Sequence, residues 1–403
     1  MSWPRKKVSE LCIFAVDCIN KTAPTVDNET KYKMIRTTNV KDGFVYLDHV
    51  SYVTEETFLK WTRRSRPQYG DVVLTREAPV GQVGRFTSSD ENVFLGQRLF
   101  HYRPDPDLLD WNFLAYVLMS REVQGRLQGM GFGATVNHIR VGDAEHLEIP
   151  CPPTHIQRKI GSILSCYDDL IENNRRRIQL LEESARMLYE EWFVRLRFPG
   201  HKHVKVVNGV PEGWERKTLG EVSAFISRGI TPSYDDSASG LVINQKCVRN
   251  HFVESSLGRY QAKTVPQIKQ LQYGDVLINS TGTGTLGRVA QYFECIENCT
   301  VDSHVTIARP MSKKYMVYYG FVILSNEELL AKAGRGSTNQ TELAKAIIED
   351  IPFIKPSVTL LTQFEEFAID IKQQIQIIAS QNRKLAQARD LLLPKLMSGD
   401  VAV

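Results

Sequence analysis

An internal repeat limits what this chain can fold into more than any other feature. Residues 69–85 read YGDVVLTREAPVGQVGR, and residues 273–288 read YGDVLINSTGTGTLGR. The likeness extends upstream, where WPRKKVSELC from residue 3 resembles WERKTLGEVS from residue 214. It also extends downstream, where residues 91–104 and 297–310 have equal length, begin with Glu-Asn and end with Arg-Pro. A repeat that keeps its order over this distance indicates a duplicated structural unit. The sequence therefore predicts two globular domains with one α/β (α+β) fold.

A long helical segment follows each copy, because apolar residues recur there at spacings of three and four. The first series is Ile160, Ile163, Tyr167, Ile171, Asn174, Ile178, Leu181, Ala185, Leu188 and Trp192, and the second is Phe364, Phe367, Ile371, Ile375, Ile378, Asn382, Leu385, Leu392 and Leu396. Each series contains one asparagine, and a polar residue in a coiled-coil seam fixes register at a cost in stability. Asn174 and Asn382 therefore favour two helices that pair with each other. The alternative is two amphipathic helices that lie separately on the two domains.

These patterns predict the domain boundaries. We place an N-terminal globular domain at residues 1–153 and a central helix at 154–198. A second globular domain occupies 199–356, and a C-terminal helix occupies 357–403.

The segment Gly282-Thr-Gly284-Thr-Leu-Gly287 matches the G-x-G-x-x-G fingerprint of dinucleotide-binding proteins. A phosphate-binding loop of that type needs a helix after it, and the sequence RVAQYF leaves little room for one. In our alignment of the copies, Gly81, Gly84 and Arg85 correspond to Gly284, Gly287 and Arg288, and Gly282 has no counterpart. We therefore interpret the segment as a turn between strands, with a nucleotide-binding enzyme as the alternative.

Composition excludes few classes of protein. The chain has 403 residues, 42% of them hydrophobic and 24% charged, as in globular proteins, and no apolar run approaches the ~20 residues of a membrane span. A net charge of +4 permits a nucleic-acid partner without requiring one. The seven scattered cysteines suggest buried thiols in a reducing cytoplasm. Cys295, Cys299 and His304 lack a fourth ligand at useful spacing, so we expect no metal site.

Catalytic motifs are missing from the sequence as well. It contains no G-x-x-x-x-G-K-[ST] loop, H-E-x-x-H helix or G-x-S-x-G elbow. Together with the duplicated plan, this favours binding over catalysis.

Several stretches resemble the specificity subunit of type I restriction–modification systems. They are SRGITPSY at 227–234, INQKCVRN at 243–250, the paired YGDV strands, IPCPPTHIQRKIGSIL at 149–164 and PKLMSGD at 394–400. The resemblance implies two target recognition domains, each reading one half of a bipartite double-stranded DNA target. It also implies an antiparallel coiled coil that separates the domains, with an internal pseudo-two-fold.

The same resemblance implies a cytoplasmic, non-catalytic chain with no membrane contact and no cofactor of its own. Its partners would be two methyltransferase subunits, which carry S-adenosylmethionine, and restriction/translocase subunits, which use ATP and Mg. A scaffold whose domains bind proteins is the rival interpretation.

The repeat also indicates which residues read DNA, because positions that read different half-sites should differ between the copies. Three divergent segments in each copy are rich in side chains that pair with base edges in the major groove. The candidates in these segments are Arg36, Thr37, Asn39, Arg76, Gln97 and Arg98 in the first copy and Asn244, Gln245, Lys246, Asn279, Ser280, Thr281 and His304 in the second. Thr338 and Asn339, like residues 135–137 of the first copy, come just after a glycine-rich turn and are either further contacts or turn caps. The alternative is that these divergent surface residues are simply unconstrained. For Arg85 and Arg288, which our alignment pairs, we expect a phosphate contact or an internal ion pair.

Overall fold

A computed structural model describes residues 3–130, 138–282, 284–333, 342–401 and 403. The chain divides into two units. The first consists of Met1–Asn173 with Asn382–Val403, and the second of Asn174–Gln381. Each long helix therefore contributes one part to the first unit and one part to the second.

In the first unit, short strands form three sheets. The strands are β1 Arg5–Lys7, β2 Cys12–Asp17, β3 Lys33–Ile35, β4 Val40–Lys41, β5 Gly43–Val45, β6 Ser51–Tyr52, β7 Val72–Thr75, β8 Val83–Arg85, β9 Val93–Leu95, β10 Leu99–Pro104 and β11 Glu148–Pro150. Within the described residues their sheet orders are β2-β10-β7-β8-β5-β4, β6-β3-β9 and β1-β11. The helices of this part of the chain are α1 Glu55–Trp61, α2 Trp111–Met119, α3 Arg121–Gly129, α4 Val141–Glu145 and the central helix α5 Thr154–Tyr189.

The second unit repeats this plan and adds a two-stranded hairpin at its start. Its strands are a hairpin of β12 Val206–Val207 and β13 Val210–Pro211, then β14 Glu215–Thr218, β15 Ser223–Arg228, β16 Gly240–Ile243, β17 Val248–Arg249, β18 Phe252–Val253, β19 Arg259–Gln261, β20 Val276–Asn279, β21 Val289–Gln291, β22 Cys299–Val301, β23 Val305–Pro310 and β24 Pro352–Lys355. The helices are α6 Met316–Leu324, α7 Glu327–Ala333, α8 Lys345–Glu349 and the last helix α9 Val358–Ser398.

Pairing partners correspond between the two units. Strand β10 lies between β2 and β7, as β23 lies between β15 and β20. The parallel pair β3–β9 matches the parallel pair β16–β22, and β1–β11 matches β14–β24. The predicted duplication of a mixed α and β fold is confirmed.

The register corrects our alignment of the glycine-rich turns. Val72 pairs with Arg85 and Val276 pairs with Gln291, so Arg85 is equivalent to Gln291 and not to Arg288. The N–H of Gly81 donates to the carbonyl of Thr75, and the N–H of Gly287 donates to that of Asn279. Gly81 therefore corresponds to Gly287, and both have positive φ, at +86° and +81°. The pairing of Gly84 with Gly287 was wrong because the second turn is two residues longer.

The described residues of the G-x-G-x-x-G segment, 282 and 284–287, lie in a turn, as predicted. It joins β20 to β21, which are antiparallel neighbours, and β21 begins at Val289, two residues after Gly287. A Cβ at Gly287 would lie 2.4 Å from the backbone nitrogen of Ala331, so a close approach of α7 requires glycine here. The arrangement lacks the helix that a dinucleotide phosphate loop needs.

The long helices pack against each other in opposite directions within each unit. In the first unit Leu396 and Met397 of α9 share a core with Ile160 and Leu164, near the start of α5. In the second unit Phe364 and Ala368, near the start of α9, share a core with Ala185 and Tyr189, at the end of α5. An antiparallel pairing, in line with the coiled-coil prediction, is therefore present in each unit.

Two seam positions differ from the predicted series. Ile163 and Phe367 are 36% and 46% exposed, whereas Leu164 and Ala368 are fully buried in the cores of their units. On a helix, the residues three and four positions after a buried residue lie on the same face as it. The spacing of apolar residues alone therefore does not show which of two consecutive residues points into the core. The correction moves the seam by one residue at each of these positions.

A buried charge network joins the globular part of the first unit to both helices. Asp168 of α5 accepts hydrogen bonds from Arg85 Nη2 at 2.6 Å, Tyr116 Oη at 2.5 Å and Arg389 Nη1 at 2.5 Å. Arg85 also donates to the Gly43 carbonyl at 3.0 Å. The internal ion pair that we considered for Arg85 is thus present. Arg288 is half-buried and donates to the carbonyl of Gly284 at 2.9 Å.

A second link holds the buried helix of each globular part against a long helix. In the first unit Gln157 Oε1 accepts the N–H of Asp110 at 3.0 Å, just before α2. In the second unit the Glu365 carboxylate accepts the N–H groups of Val317 at 3.0 Å and Tyr318 at 2.7 Å, in the first turn of α6. Burial raises the pKa of Glu365 to about 7, although these two N–H donors act in the opposite direction.

The cysteines are free thiols, and two of them correct our expectation of burial. Cys166 and Cys295 are exposed, while Cys18, Cys151, Cys247 and Cys299 are buried and Cys12 is half-buried. Cys166 lies on the outer face of α5, where the helix faces solvent. None of the helices in the described part of the chain is long and apolar enough to cross a bilayer.

Candidate nucleic-acid interface

Three separate segments converge in the same way in each unit. They are the turn after β3 or β16, the end of β7 or β20, and the residues just before β10 or β23. Backbone hydrogen bonds join the last two segments: Arg76 N–H donates to the Arg98 carbonyl at 2.8 Å, and Ser280 N–H to the His304 carbonyl at 2.9 Å. The segments that the repeat singled out are therefore neighbours in space in both units.

The turn after the parallel strand has equivalent geometry in the two units. Asn39 accepts the backbone N–H of Arg36 at 3.0 Å through its side chain and donates its amide to the Asp48 carbonyl at 3.0 Å. In the second unit Asn244 caps the turn instead, since its side chain accepts the N–H of Lys246 at 2.9 Å. Arg36 and Lys246 are exposed at the surface of their turns.

The first unit has a cavity of about 250 Å³ where these segments meet. Its lining consists of Thr22, Ala23, Met34, Arg36, Thr37, Thr38, Gly96, Gln97 and Arg98. The structure thus brings together four predicted residues from two distant segments. Six of the nine lining residues have polar side chains, and the carbons of Ala23 and Met34 add an apolar wall of the kind that contacts a thymine methyl group.

Arg98 is an exposed cation of this cavity, and its side chain has a defined partner. Its Nε lies 3.0 Å from Oε2 of Glu77, and its side chain is 45% exposed. The backbone of Arg98 has φ of +71°, a conformation that L-residues adopt rarely.

In the second unit a hydrogen-bonded series runs across the three segments. Gln245 Nε2 donates to Thr281 Oγ1 at 2.7 Å, and Thr281 Oγ1 lies 2.8 Å from His304 Nδ1. The N–H of His304 donates to the carboxylate of Asp302 at 2.9 Å. Burial raises the pKa of Asp302, while the hydrogen bond from His304 acts in the opposite direction. Predicted residues from all three segments are therefore connected here.

Four of the predicted residues are buried and support the surface from beneath: Asn39, Arg76, Asn279 and Ser280. Arg76 Nε donates to the Ile139 carbonyl at 2.9 Å, and Asn279 Nδ2 donates to the Gln245 carbonyl at 3.1 Å. The Ser280 hydroxyl lies 2.6 Å from the hydroxyl of Thr306. Divergence between the copies identified these positions without showing that they face inward.

Thr338 and Asn339 lie outside the described residues, as do residues 135–137 of the first copy. The described residues that directly follow those segments pair with the residues after β7 and β20. His138 forms a β-bridge with Glu77, and Glu342 forms one with Thr281.

Sequence reasoning overlooked a second polar cluster, around the segment SRGITPSY of the second unit. The Arg259 guanidinium lies 3.7 Å from the ring centroid of Tyr234, which is partly exposed. Ile230 of the same segment forms a β-bridge with Asp302, next to His304. An exposed aromatic ring covered by arginine is a feature of many nucleic-acid-binding surfaces. The quoted segment carried the signal, but its partner Arg259 is distant in sequence.

The described ranges contain no group of three or more potential metal ligands. Cys299 is buried, and burial raises the pKa of its thiol to about 12, which disfavours the thiolate that zinc requires. His304 is engaged with Thr281 instead.

The chain is similar to several known proteins. Residues 2–183 match the family described as type I restriction modification DNA specificity domain. The type I restriction enzyme MjaIX specificity subunit of Methanocaldococcus jannaschii is 25% identical over 362 residues, which cover 87% of this chain and 82% of that protein. The type I restriction enzyme HindI specificity subunit of Haemophilus influenzae is 21% identical, over 82% of this chain and 86% of that protein.

A solved structure shares the fold along the whole chain. It is the crystal structure of a type I restriction–modification system S subunit from M. genitalium, with a TM-score of 0.61 and 19% sequence identity. The match covers 98% of this chain and 96% of that chain. At this identity the likeness concerns the fold.

Proposed function

Since residues 2–183 belong to the type I restriction modification DNA specificity domain family, and similarity to specificity subunits extends along most of the chain, we propose that this protein reads the two halves of a bipartite DNA target. It is a DNA-recognition chain of the type I restriction–modification kind and not an enzyme. Each unit would read one half-site through its own convergent segments.

One observation carries the proposal: two units of the same fold present different side chains at the same three segments. The frame is shared, because equivalent strands, turns and backbone hydrogen bonds recur. The exposed or half-buried residues differ, with Arg36, Gln97 and Arg98 in the first unit and Gln245, Lys246 and His304 in the second. A protein that reads two different short sequences needs a common frame with different reading groups.

Partner subunits would supply the chemistry. We propose that the chain docks two methyltransferase subunits that carry S-adenosylmethionine, together with restriction/translocase subunits that use ATP and Mg. A row of exposed apolar side chains along α5 and the helical turn that follows it, Glu190–Val194, supports a docking role: Leu180, Met187 and Val194 recur every seven residues and are 65%, 55% and 61% exposed. Such a row on one helix face is typical of a surface that a partner covers.

Equivalent cavities in the two units also fit two copies of one partner. One, of about 890 Å³, is lined by Tyr116 and Met119 of α2 together with residues of α9. The other, of about 700 Å³, is lined by Phe321 and Leu324 of α6 together with residues of α5. These side chains occupy the sixth and ninth positions of their nine-residue helices, so the two cavities occur at equivalent places of the repeat.

Selection of bound DNA from a random library tests the proposal. The full chain, with and without the methyltransferase subunits of its host, is incubated with the library, and the recovered DNA is sequenced. We expect two short defined sequences separated by a gap of fixed length and arbitrary sequence. Recovery of no common sequence under either condition would favour the protein-binding scaffold. Tight binding of a dinucleotide would favour the nucleotide-binding enzyme.

A further inference from the structure

We propose that Glu77–Arg98 in the first unit and Thr281–His304 in the second are equivalent base-reading pairs. In each pair the first residue orients the side chain of the second, which contacts the base. The inference rests on the proposed DNA-reading function and adds to it a role for Glu77, which the pattern of the repeat did not single out.

Backbone geometry establishes that the two pairs are equivalent. The carbonyls of Arg98 and His304 accept the N–H groups of Arg76 and Ser280, the residues that directly follow β7 and β20. The next residue along the chain is Glu77 in one unit and Thr281 in the other. Each of these forms a β-bridge with the chain that returns to the site, Glu77 with His138 and Thr281 with Glu342.

Side chains repeat the same relation with different chemistry. Glu77 holds Arg98 through Nε at 3.0 Å, and Thr281 holds His304 through Nδ1 at 2.8 Å. In both units the orienting segment is itself fixed by the turn after the parallel strand. Thr37 Oγ1 donates to the Ala78 carbonyl at 3.0 Å, and Gln245 Nε2 donates to Thr281 Oγ1 at 2.7 Å.

Orientation matters because a flexible cation discriminates poorly between bases. A guanidinium held at Nε presents its two terminal nitrogens as a fork, and such a fork matches O6 and N7 of guanine. A histidine held at Nδ1 has one further ring nitrogen, so it makes a single contact. We therefore expect a strict guanine preference at the position that Arg98 reads and a weaker preference at the position that His304 reads.

The charge of Glu77 supports a base-reading role over a phosphate contact. A carboxylate beside DNA phosphates is repelled, whereas the same carboxylate beside Arg98 keeps the pair close to neutral. An arginine that served only to bind phosphates would gain from the absence of Glu77. Removing Glu77 should accordingly raise non-specific affinity and lower selectivity.

Exchanging the pairs gives the most direct test. In the full chain, Glu77→Thr with Arg98→His gives the first unit the pair of the second, and the library selection is repeated with wild type in parallel. We expect the preference at one base pair of the first half-site to change to that of the equivalent position in the second half-site, with the other positions unchanged. An unaltered target, or equal loss of binding to all sequences, would overturn the inference. A wild-type chain that selects no sequence would instead refute the proposed function itself.

Three further variants separate reading and positioning from folding. Arg98 has φ of +71°, so Arg98→Gly relieves backbone strain and should not lower the melting temperature, yet it should abolish the preference at that base pair. Glu77→Gln keeps a hydrogen-bond acceptor for Arg98 Nε and should retain the preference, whereas Glu77→Ala should weaken it about tenfold at the same base pair. If Glu77→Ala leaves that preference unchanged, Glu77 does not orient Arg98.

Discussion

At the scale of single residues, exposure separates two arginines that look alike in the sequence. Arg76 and Arg98 both lie in divergent segments, and their backbones are joined by a hydrogen bond. Arg98 projects a half-exposed side chain at the cavity, whereas Arg76 is buried and donates to the Ile139 carbonyl. The two residues should therefore respond differently to the same substitution.

Arg98→Ala should relax the target at one base pair of the first half-site by about 1–3 kcal/mol, because a bidentate contact to guanine is lost. Arg76→Ala should lower the free energy of unfolding by roughly 1–3 kcal/mol, because a buried carbonyl loses its partner. It should weaken binding to all sequences alike. Library selection and denaturant unfolding on both variants check this. If Arg76→Ala altered one base preference and left the free energy of unfolding unchanged, that result would contradict a structural role for Arg76.

The buried carboxylate of Glu365 gives a prediction about pH. Its folded pKa of about 7 is above the ordinary value of 4.5 for glutamate, so the folded state favours the protonated form. Stability from this group is therefore complete below pH 4.5 and declines as pH rises through 7. The decline is at most about 3 kcal/mol.

Glu365→Gln should flatten this decline, since an amide does not ionise. Melting temperatures of wild type and variant between pH 5 and pH 8 measure the effect. Parallel curves across that range would show that Glu365 remains ionised in the folded protein.

Residue-level prediction from the sequence identified segments that lie together in the structure, because the repeat carried that information. Divergence between the copies found the three segments. It also selected Arg36, Gln97 and Arg98, which line one cavity in the structure. It did not reveal that Asn39 and Ser280 point inward, because the direction of a side chain in a turn depends on neighbours that are distant in sequence. Glu77 was missed as a site residue because its role comes from its contact with Arg98 across two strands.

At the scale of secondary-structure elements, the two long helices attach to the globular parts by different chemistry. In the first unit the attachment is the buried Asp168 with Arg85 and Arg389. In the second it is the Glu365 carboxylate at the start of α6, within an aromatic core. The existence of both helices followed from periodicity, but the two arginine partners of Asp168 lie more than eighty residues away along the chain.

Asp168→Ala should lower the free energy of unfolding of the first unit by roughly 3–5 kcal/mol. The loss is large because two buried or half-buried arginines are left without their carboxylate. Asp169→Ala, at the exposed neighbouring position, is the matched control and should have almost no effect. Calorimetry measures the melting temperatures of both variants. Equal melting temperatures for Asp168→Ala and Asp169→Ala would contradict a structural role for the network.

The asparagines of the seam make a second prediction at this scale. Asn382 Nδ2 donates to the Ile171 carbonyl at 3.2 Å, and Asn174 is buried on the facing side of α5. Changing both to leucine should keep or raise helical stability while permitting more than one register. Cysteine crosslinking between α5 and α9 reports the register. Crosslinks confined to a single register in the leucine variant would show that the asparagines do not set it.

At the scale of the whole molecule, the main feature is that one fold occurs twice in one chain. Under the proposed function, two half-sites would require two reading surfaces, and repeating one domain would provide both on an equivalent frame. The sequence revealed this plan because the fold-determining residues of the copies still match. It misplaced the glycine-rich turn by three residues, since an insertion in a turn shifts the alignment without disturbing the strands around it.

The long helices would set the distance between the two reading surfaces. Four extra residues, about one helical turn, lengthen a helix by roughly 6 Å, and base pairs are spaced about 3.4 Å apart. The insertion points should avoid Ala185, which is buried in the core of the second unit. They belong where each helix passes from one unit to the other, between Asn173 and Asn174 and between Gln381 and Asn382.

The library selection on this double insertion tests the central claim most directly. A chain that reads a bipartite target should recover the same two half-sites, with the gap between them longer by one or two base pairs. A gap of unchanged length together with altered half-sites would contradict the claim, because the helices would then take part in reading and would not separate two independent reading surfaces.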